Sequence, residues 1–252
     1  MSKLFKPLMI SALVASAVGN VQAGTDASWV VSEGLTQKSL EYGISGSANS
    51  GNVDFVGVNL SATVMFGDSY ITTEIDRALS EGIMTGGRDG AIVSSDAVTV
   101  TWGCNCISSI QSLGLFVGYA SMDTSIEIFD EFTDNGSDSG LFLGASYPLI
   151  SLERGQLAAT FAFASFDGRS VSSFISSGAL VNARLTGSTT GLSYGIAWSG
   201  ALSSNMNYSV SAKINNYSFD VNRIANSTES GAVNLKLDRI YTILGAKVSY
   251  FF

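Results

Sequence analysis

The sequence has no histidine, only two cysteines and two prolines in 252 residues, and charged residues amount to 13%. Lack of histidine removes the side chain that normally titrates near neutral pH, and with it the usual general base and the commonest metal ligand. Two cysteines spaced Cys-x-Cys cannot complete a four-ligand structural zinc site without it. The scarcity of charge goes with a mean hydropathy of +0.29, an unusual pairing for a soluble secreted domain. One more thing is missing: beyond Ala23 no apolar run approaches the roughly 20 residues that a membrane-spanning helix needs.

What is present begins with an export pattern. Lys3 and Lys6 precede an apolar run from Leu8 to Val18, and Val21-Gln22-Ala23 supplies the small-residue cleavage pattern. Residues 1–23 therefore read as a secretory signal peptide, leaving a mature chain of about 229 residues, enough for one domain. Lys3 and Lys6 leave with it, taking the 13 basic residues to 11 against 21 acidic, a formal charge near −10. That sign argues against nucleic acid as a partner. An apolar exported chain with no spanning helix has one other way to cross lipid, a closed β-barrel, because hydrocarbon leaves no backbone donor or acceptor satisfied at an open edge.

The periodicity agrees. From Asp54 to Phe66, Val56, Val58, Leu60, Ala62, Val64 and Phe66 alternate with Gly57, Asn59, Ser61 and Thr63. Period two recurs in ten segments: 40–48, 54–66, 70–77, 97–103, 111–122, 140–147, 156–167, 189–198, 206–220 and 236–252. The expectation is an all-β, antiparallel, closed transmembrane barrel of about 10 strands, with 8 to 12 in range, spanning 39–252. Residues 24–38 read as a periplasmic tail or an internal plug. Soluble sandwiches alternate too, so the connections discriminate: "GDS", "CNCISSI", "PLISLERG" and "SGALSSN" are short, whereas 78–96, 123–139, 168–188 and 221–235 are long and polar. Transmembrane barrels have short turns on one side and longer loops on the other. Phe66, Tyr70, Trp102, Tyr147, Trp198, Tyr208, Tyr250 and Phe252 all fall beside the short turns, as an interfacial aromatic girdle would. Tyr119, Phe163, Phe166, Tyr217 and Tyr241 would supply the opposite belt.

The last strand would turn Ile240, Thr242, Leu244, Ala246, Val248, Tyr250 and Phe252 to lipid, and Tyr241, Gly245, Lys247 and Ser249 inward. With this ending the chain resembles bacterial outer-membrane β-barrel proteins, whose final strand closes on an aromatic after apolar alternate positions. Small barrels of the OmpA or OmpW type and compact porin-like proteins both fit. The resemblance implies a place in the cell outer membrane among its lipids and lipopolysaccharide. It also implies that Val248, Tyr250 and Phe252 are an assembly signal read by the barrel-assembly machinery, with periplasmic chaperones en route. Barrel enzymes of the protease, phospholipase, palmitoyltransferase and deacylase families depend on histidine, so the resemblance implies no enzyme, no catalytic residue and no cofactor.

Inside, Gly57, Ser61, Gly114, Gly118, Gly144, Ala162, Gly195, Ser209 and Gly245 are small. They either leave a narrow wet passage or seat neighbouring aromatics. Glu41, Glu74 and Asp76 on early strands and Lys213, Arg239 and Lys247 on late ones read as lumen charges, with Glu41 and Lys247 neighbours at closure. They would form either an ion-pair network that blocks the lumen or the lining of an ion path. Cys104 and Cys106 admit a local disulfide, free thiols, or a redox or metal role. Asp123, Glu127, Asp130, Glu131, Asp134 and Asp138 crowd one stretch that lacks the ligand ladder of a calcium loop. It reads as a solvated external loop, or one bridged through divalent ions to lipopolysaccharide. Arg88, Arg169, Arg184 and Arg223 lie near the other long loops, where they would reach its phosphates. Because so many lumen positions are small, the function read from the sequence is a small porin-like pore for ions or small solutes; the alternative is a non-conducting structural or surface-interaction barrel acting through its external loops.

Overall fold

The computed structural model describes residues 27–44, 50–83, 92–107, 113–128, 132–176, 179–226 and 230–252. Residues 1–23, expected above to be a signal peptide, and Arg88, Asp130 and Glu131 lie outside these residues.

Alternation of apolar with small or polar residues gives strands throughout: β1 (Ala27–Ile44), β2 (Ser50–Phe66), β3 (Ser69–Ala78), the two-residue β4 (Gly82–Ile83), β5 (Ile92–Ile107), β6 (Leu113–Ile128), β7 (Phe132–Leu152), β8 (Gly155–Ser176), β9 (Ala179–Ser203), β10 (Met206–Asn226) and β11 (Ser230–Phe251). The ten long strands pair antiparallel with their neighbours, β3 pairs with β5, and β1 pairs with β11, so the sheet closes on itself as a ten-stranded barrel. Each of the ten segments read from the sequence lies in one long strand, except that 40–48 begins late, 111–122 begins early and a few ends fall outside the described residues.

The first strand is a correction. Residues 27–38 are neither tail nor plug: they run in register from Val30↔Phe251 to Lys38↔Ile243 against β11, and pair with β2 on the other side. Both faces of this stretch mix polar and apolar residues, which hid its period. Backbone hydrogen bonds finish the seam, Phe252 N–H donating to the Trp29 carbonyl at 2.9 Å and Trp29 N–H to the Phe252 carbonyl at 3.4 Å.

Hairpins at one end are tight, turning at 67–68, 153–154 and 204–205. Gly67 has φ of 59°, the left-handed geometry that a tight turn demands and that glycine adopts without strain. At the other end the long connections expected at 123–139 and 168–188 are mostly continuous hairpin, β6 running to Ile128, β7 starting at Phe132, β8 reaching Ser176 and β9 starting at Ala179. Polar residues on both faces of these extensions look like loop when read one residue at a time. A barrel strand needs roughly 9–11 residues to cross lipid, while β9 has 25, so much of the wall projects beyond the membrane on the long-hairpin side.

The outward face explains the hydropathy. Near the tight turns it carries Val98, Val100, Leu115, Val117, Leu141, Leu143, Ile196 and Val210, all exposed. Such a continuous apolar band has no place in water and matches the lipid-facing belt of a barrel. The inward face holds the packed core, a cluster formed by Leu40, Val53, Phe55, Val93, Ala120, Ile126, Ala164, Phe166, Tyr217 and Tyr241.

Candidate functional site in the barrel lumen

Three layers stack inside the barrel, ordered along β11 by Arg239, Tyr241 and Lys247.

The layer nearest the long hairpins is polar and buried. Arg239 Nη1 donates to Asp138 Oδ2 at 2.6 Å, and Nη2 donates to Thr189 Oγ1 at 3.4 Å. Thr189 in turn donates to Asp138 Oδ1 at 2.5 Å, closing a three-membered network across β11, β7 and β9. The guanidinium also sits 5.8 Å from the Phe219 ring centroid, where the ring face attracts a cation. Close by, Asp134 accepts hydrogen bonds from Ser170 and, at 2.8 Å, Ser172. Buried charges persist when paired and hydrogen-bonded, as Arg239 and Asp138 are through Nη1 and Nη2, although Arg239 Nε is left without a partner among the described residues.

The middle layer is apolar and aromatic. Phe166 and Tyr217 rings lie 5.7 Å apart, and Tyr217 and Tyr241 lie 6.3 Å apart edge to face. The Tyr241 hydroxyl reaches Thr124 Oγ1 at 3.2 Å. Leu40 flanks Tyr241 as its register partner on β1, Val53 and Phe55 follow on β2, and Ala120 and Ile126 on β6 meet the layer from the facing wall. The layer draws on β1, β2, β5, β6, β8, β10 and β11, and therefore crosses the lumen rather than lining it.

Toward the tight turns lies a cavity of about 390 Å³. Lys38 Nζ meets Asp76 at 2.6 Å, and Lys247 Nζ meets Glu74 at 2.7 Å. Lys213 lines the same cavity, stays accessible to water, and has no carboxylate within ion-pair distance among the described residues. Ser193 donates to Asn215 Oδ1 at 2.7 Å on the cavity wall.

The expected network of lumen charges is thus divided. Glu74, Asp76, Lys213 and Lys247 share the lower cavity, whereas Arg239 belongs to the upper layer. Glu41 is a correction: it is exposed on the outer face, pairs in register with Ile240, and lies far from Lys247, which is opposite Gly34. The strand parity that turns Lys38 and Leu40 inward necessarily turns Glu41 outward. Lys38 and Asp138 were missed. Lys38 shares parity with Leu40, and Asp138 shares it with Phe142, so extending each strand by two-residue steps would have found them.

Some small lumen residues seat rings, whereas Gly57, Gly195 and Gly245 face non-aromatic side chains and backbone. A methyl on Gly118 would strike the Phe142 ring, one on Gly144 the Phe116 ring, and one on Gly191 the Tyr217 ring. Among the girdle candidates, Phe66 and Trp102 are exposed on the outer wall, and Trp198 Nε1 donates to the Tyr208 hydroxyl at 3.1 Å. Tyr147 has the outward parity of Leu143. Tyr70 is a correction: with the inward parity of Glu74, it covers Gly103 at the turn-side mouth of the lumen. Phe166, Tyr217 and Tyr241 likewise leave the expected outer belt for the lumen, while Tyr119 and Phe163 stay exposed outside. Val248 and Tyr250 lie near the end of β11 on the outward face of Leu244, and Phe252, just past its last residue, is 70% exposed.

Cys104, on β5, is buried and disulfide-bonded; the side chain of Cys106 lies outside the described residues. Of the acidic stretch, Asp123 and Glu127 are exposed, but Asp134 and Asp138 point inward and are buried, which corrects their reading as solvated loop. Arg169, Arg184 and Arg223 are exposed on the projecting wall. Among the described residues no group of three or more acidic or sulfur ligands is arranged to hold a metal ion.

No protein-family model matches the chain, and no curated protein sequence does. Solved structures do match in fold. The outer membrane protease OmpT of Escherichia coli aligns over 92% of this chain and 99% of its own, with a TM-score of 0.61 and 12% identity. The translocator domain of the autotransporter NalP from Neisseria meningitidis aligns over 99% and 97%, with a TM-score of 0.49 and 13% identity. The outer membrane protein OprG of Pseudomonas aeruginosa aligns over 92% and 99%, with a TM-score of 0.36 and 11% identity. Identities this low describe a shared architecture and carry no activity with them.

Proposed function

We propose that this chain, which has the fold of small bacterial outer-membrane β-barrels, is a barrel of that membrane, closed at rest and acting through its projecting outer wall as a structural or surface-interaction protein. One observation carries this reading: the aromatic layer around Tyr217 and Tyr241, with the Tyr241 hydroxyl reaching Thr124 on the facing strand, and the buried Arg239–Asp138 pair both span the lumen. Barrels of this size normally have interiors filled by side chains, and open aqueous channels belong to much larger ones. The wall beyond the membrane is the part free to meet partners. Its exposed Arg169, Arg184 and Arg223 suit lipopolysaccharide phosphates, which guanidinium groups bind with paired hydrogen bonds. Catalysis is left out of this reading, since the chain has no histidine. Assembly fits it as well: the exposed Phe252 at the end of β11 suits recognition by barrel-assembly machinery after delivery by periplasmic chaperones.

The test is planar-bilayer recording of the refolded mature chain. The expected trace shows no steady conductance above that of the bilayer alone. Stepwise open-channel currents in the unmodified protein would overturn the proposal.

A second reading, a porin-like pore for ions or small solutes, draws on the water-accessible cavity below the aromatic layer. It requires that layer to move, and in the same recording it gives rare openings separated by long closed periods.

A further inference from the structure

We propose that the turn-side half of the lumen binds a small hydroxycarboxylate, a monoanion that also carries a hydroxyl donor. In barrels of this type the short turns face the periplasm, so the ligand would enter from there, beneath the aromatic layer that closes the other side.

Charge supplies the first half of the inference. Lys38 and Lys247 are matched by Asp76 and Glu74, while Lys213 is left over. The cavity therefore carries a surplus of one positive charge, on an ammonium that water can reach. In a lumen with low-dielectric walls such a charge draws an anion more strongly than it would in bulk solvent. One surplus lysine suits a single negative charge; a dianion would leave its second charge facing Glu74 and Asp76.

Hydrogen bonding supplies the second half, independently of charge. Thr36 Oγ1 and Asn59 Oδ1 line the same cavity, belong to side chains more than nine-tenths buried, and have no partner for those atoms. Buried polar atoms are nearly always satisfied, so each orphan marks a place where a donor belongs. An amide oxygen takes a neutral hydroxyl better than a second charge already balanced elsewhere. Geometry allows one molecule to use both features. Thr36 pairs with Gly245 on β11, and Gly245 pairs with Ser211 on β10, two residues from Lys213. Thr36 turns its methyl toward Gly245 and its hydroxyl oxygen toward Gly57 on β2, so the ligand's hydroxyl would sit against the β1–β2 wall while its carboxylate reaches across the cavity to Lys213 on β10.

The experiment is calorimetric titration of the refolded full-length mature barrel in detergent with L-lactate, acetate and inorganic phosphate. L-lactate should bind saturably and more tightly than either acetate, which lacks the hydroxyl, or phosphate. Lys213→Gln should weaken lactate about tenfold or more, the loss of one charged hydrogen bond, and Lys213→Arg should retain it. Thr36→Val should bring lactate down to the affinity of acetate while leaving acetate unchanged. Resistance of each variant to unfolding in gel-loading detergent without boiling confirms a closed barrel. No saturable lactate binding to the unmodified protein, equal binding by Lys213→Gln, or tighter binding of phosphate than of lactate would each overturn the proposal. None of these outcomes depends on bilayer conductance, so this inference and the closed-lumen reading stand or fall separately.

Discussion

Arg239 and Asp138, 101 positions apart in sequence, meet across the lumen at 2.6 Å with both side chains less than a tenth exposed. Neither could be buried alone. Removing one member of a buried pair strands the other and typically costs about 3–5 kcal/mol, whereas replacing both by apolar groups of similar volume is often neutral. Asp138→Ala should therefore destabilise the barrel by about that amount, and the double variant Asp138→Leu, Arg239→Met should recover most of the loss. Urea unfolding in lipid vesicles checks both. A double variant no more stable than the single one would show that Thr189 and the Phe219 ring, rather than charge pairing, set the energy of this layer.

The aromatic layer, more than the ion pairs below it, should decide whether the lumen conducts. The Phe166 and Tyr217 rings pack at a tilt 5.7 Å apart, and Tyr217 meets Tyr241 at 6.3 Å. Replacing Phe166 and Tyr217 together by alanine deletes two of the large side chains that cross the lumen, and should produce steady conductance in planar bilayers. Lys247→Ala, which breaks only the contact with Glu74 on the turn side of that layer, should leave the closed trace unchanged. The opposite pattern would place the barrier at the lysine cluster.

How far the sequence could be read depends on what each strand contacts. Where lipid wets one face, alternation is sharp, and the strands through Val100, Ile196 and Leu244 were legible with their facing. Where the wall leaves the membrane, water bathes the outside, and polar residues occupy both faces. Asp138 then looks like part of an acidic loop, though it is two residues from Gly140 on one inward row. β1 fails for a related reason, since Glu33, Gln37 and Glu41 interrupt its outer face and Thr36 and Lys38 its inner one. Lumen partners were out of reach in a different sense. Parity gives which way Lys247 and Glu74 point, but that they meet depends on closure of the sheet and on how the strands are staggered within it.

Gly144 tests the packing of the lumen wall. It faces the barrel interior on β7, where the Phe116 ring and the Phe161 carbonyl already occupy the space a side chain would take. A close-packed interior cannot absorb added atoms without displacing rings, at a typical cost of about 1–3 kcal/mol. Gly144→Val should lose stability in that range, measured by urea unfolding in vesicles, and Phe116→Ala introduced with it should restore part of the loss. If Gly144→Val alone is neutral, the Phe116 ring is free to swing away and the wall there is looser than its packing implies.

Glu33 is the anomaly on the lipid side. It is exposed and lies on the outward row of β1, opposite Leu60 on β2 and Val248 on β11. Val248 stands four residues above Phe252, and with a rise near 3.4 Å per residue along tilted strands that puts the carboxylate roughly 10 Å into an apolar band about 25 Å tall. A carboxylate there loses hydration and finds no cation among the described residues. Acidic groups on the lipid face cost less than basic ones, so the gain from Glu33→Leu should be about 1 kcal/mol. Urea unfolding in thin and thick vesicles gives the check, because a thicker hydrocarbon layer sets the carboxylate deeper and should enlarge the advantage of leucine. A leucine variant less stable than the unmodified protein in both would mean that another polar surface covers Glu33, and that the seam between β1 and β11 does not face lipid.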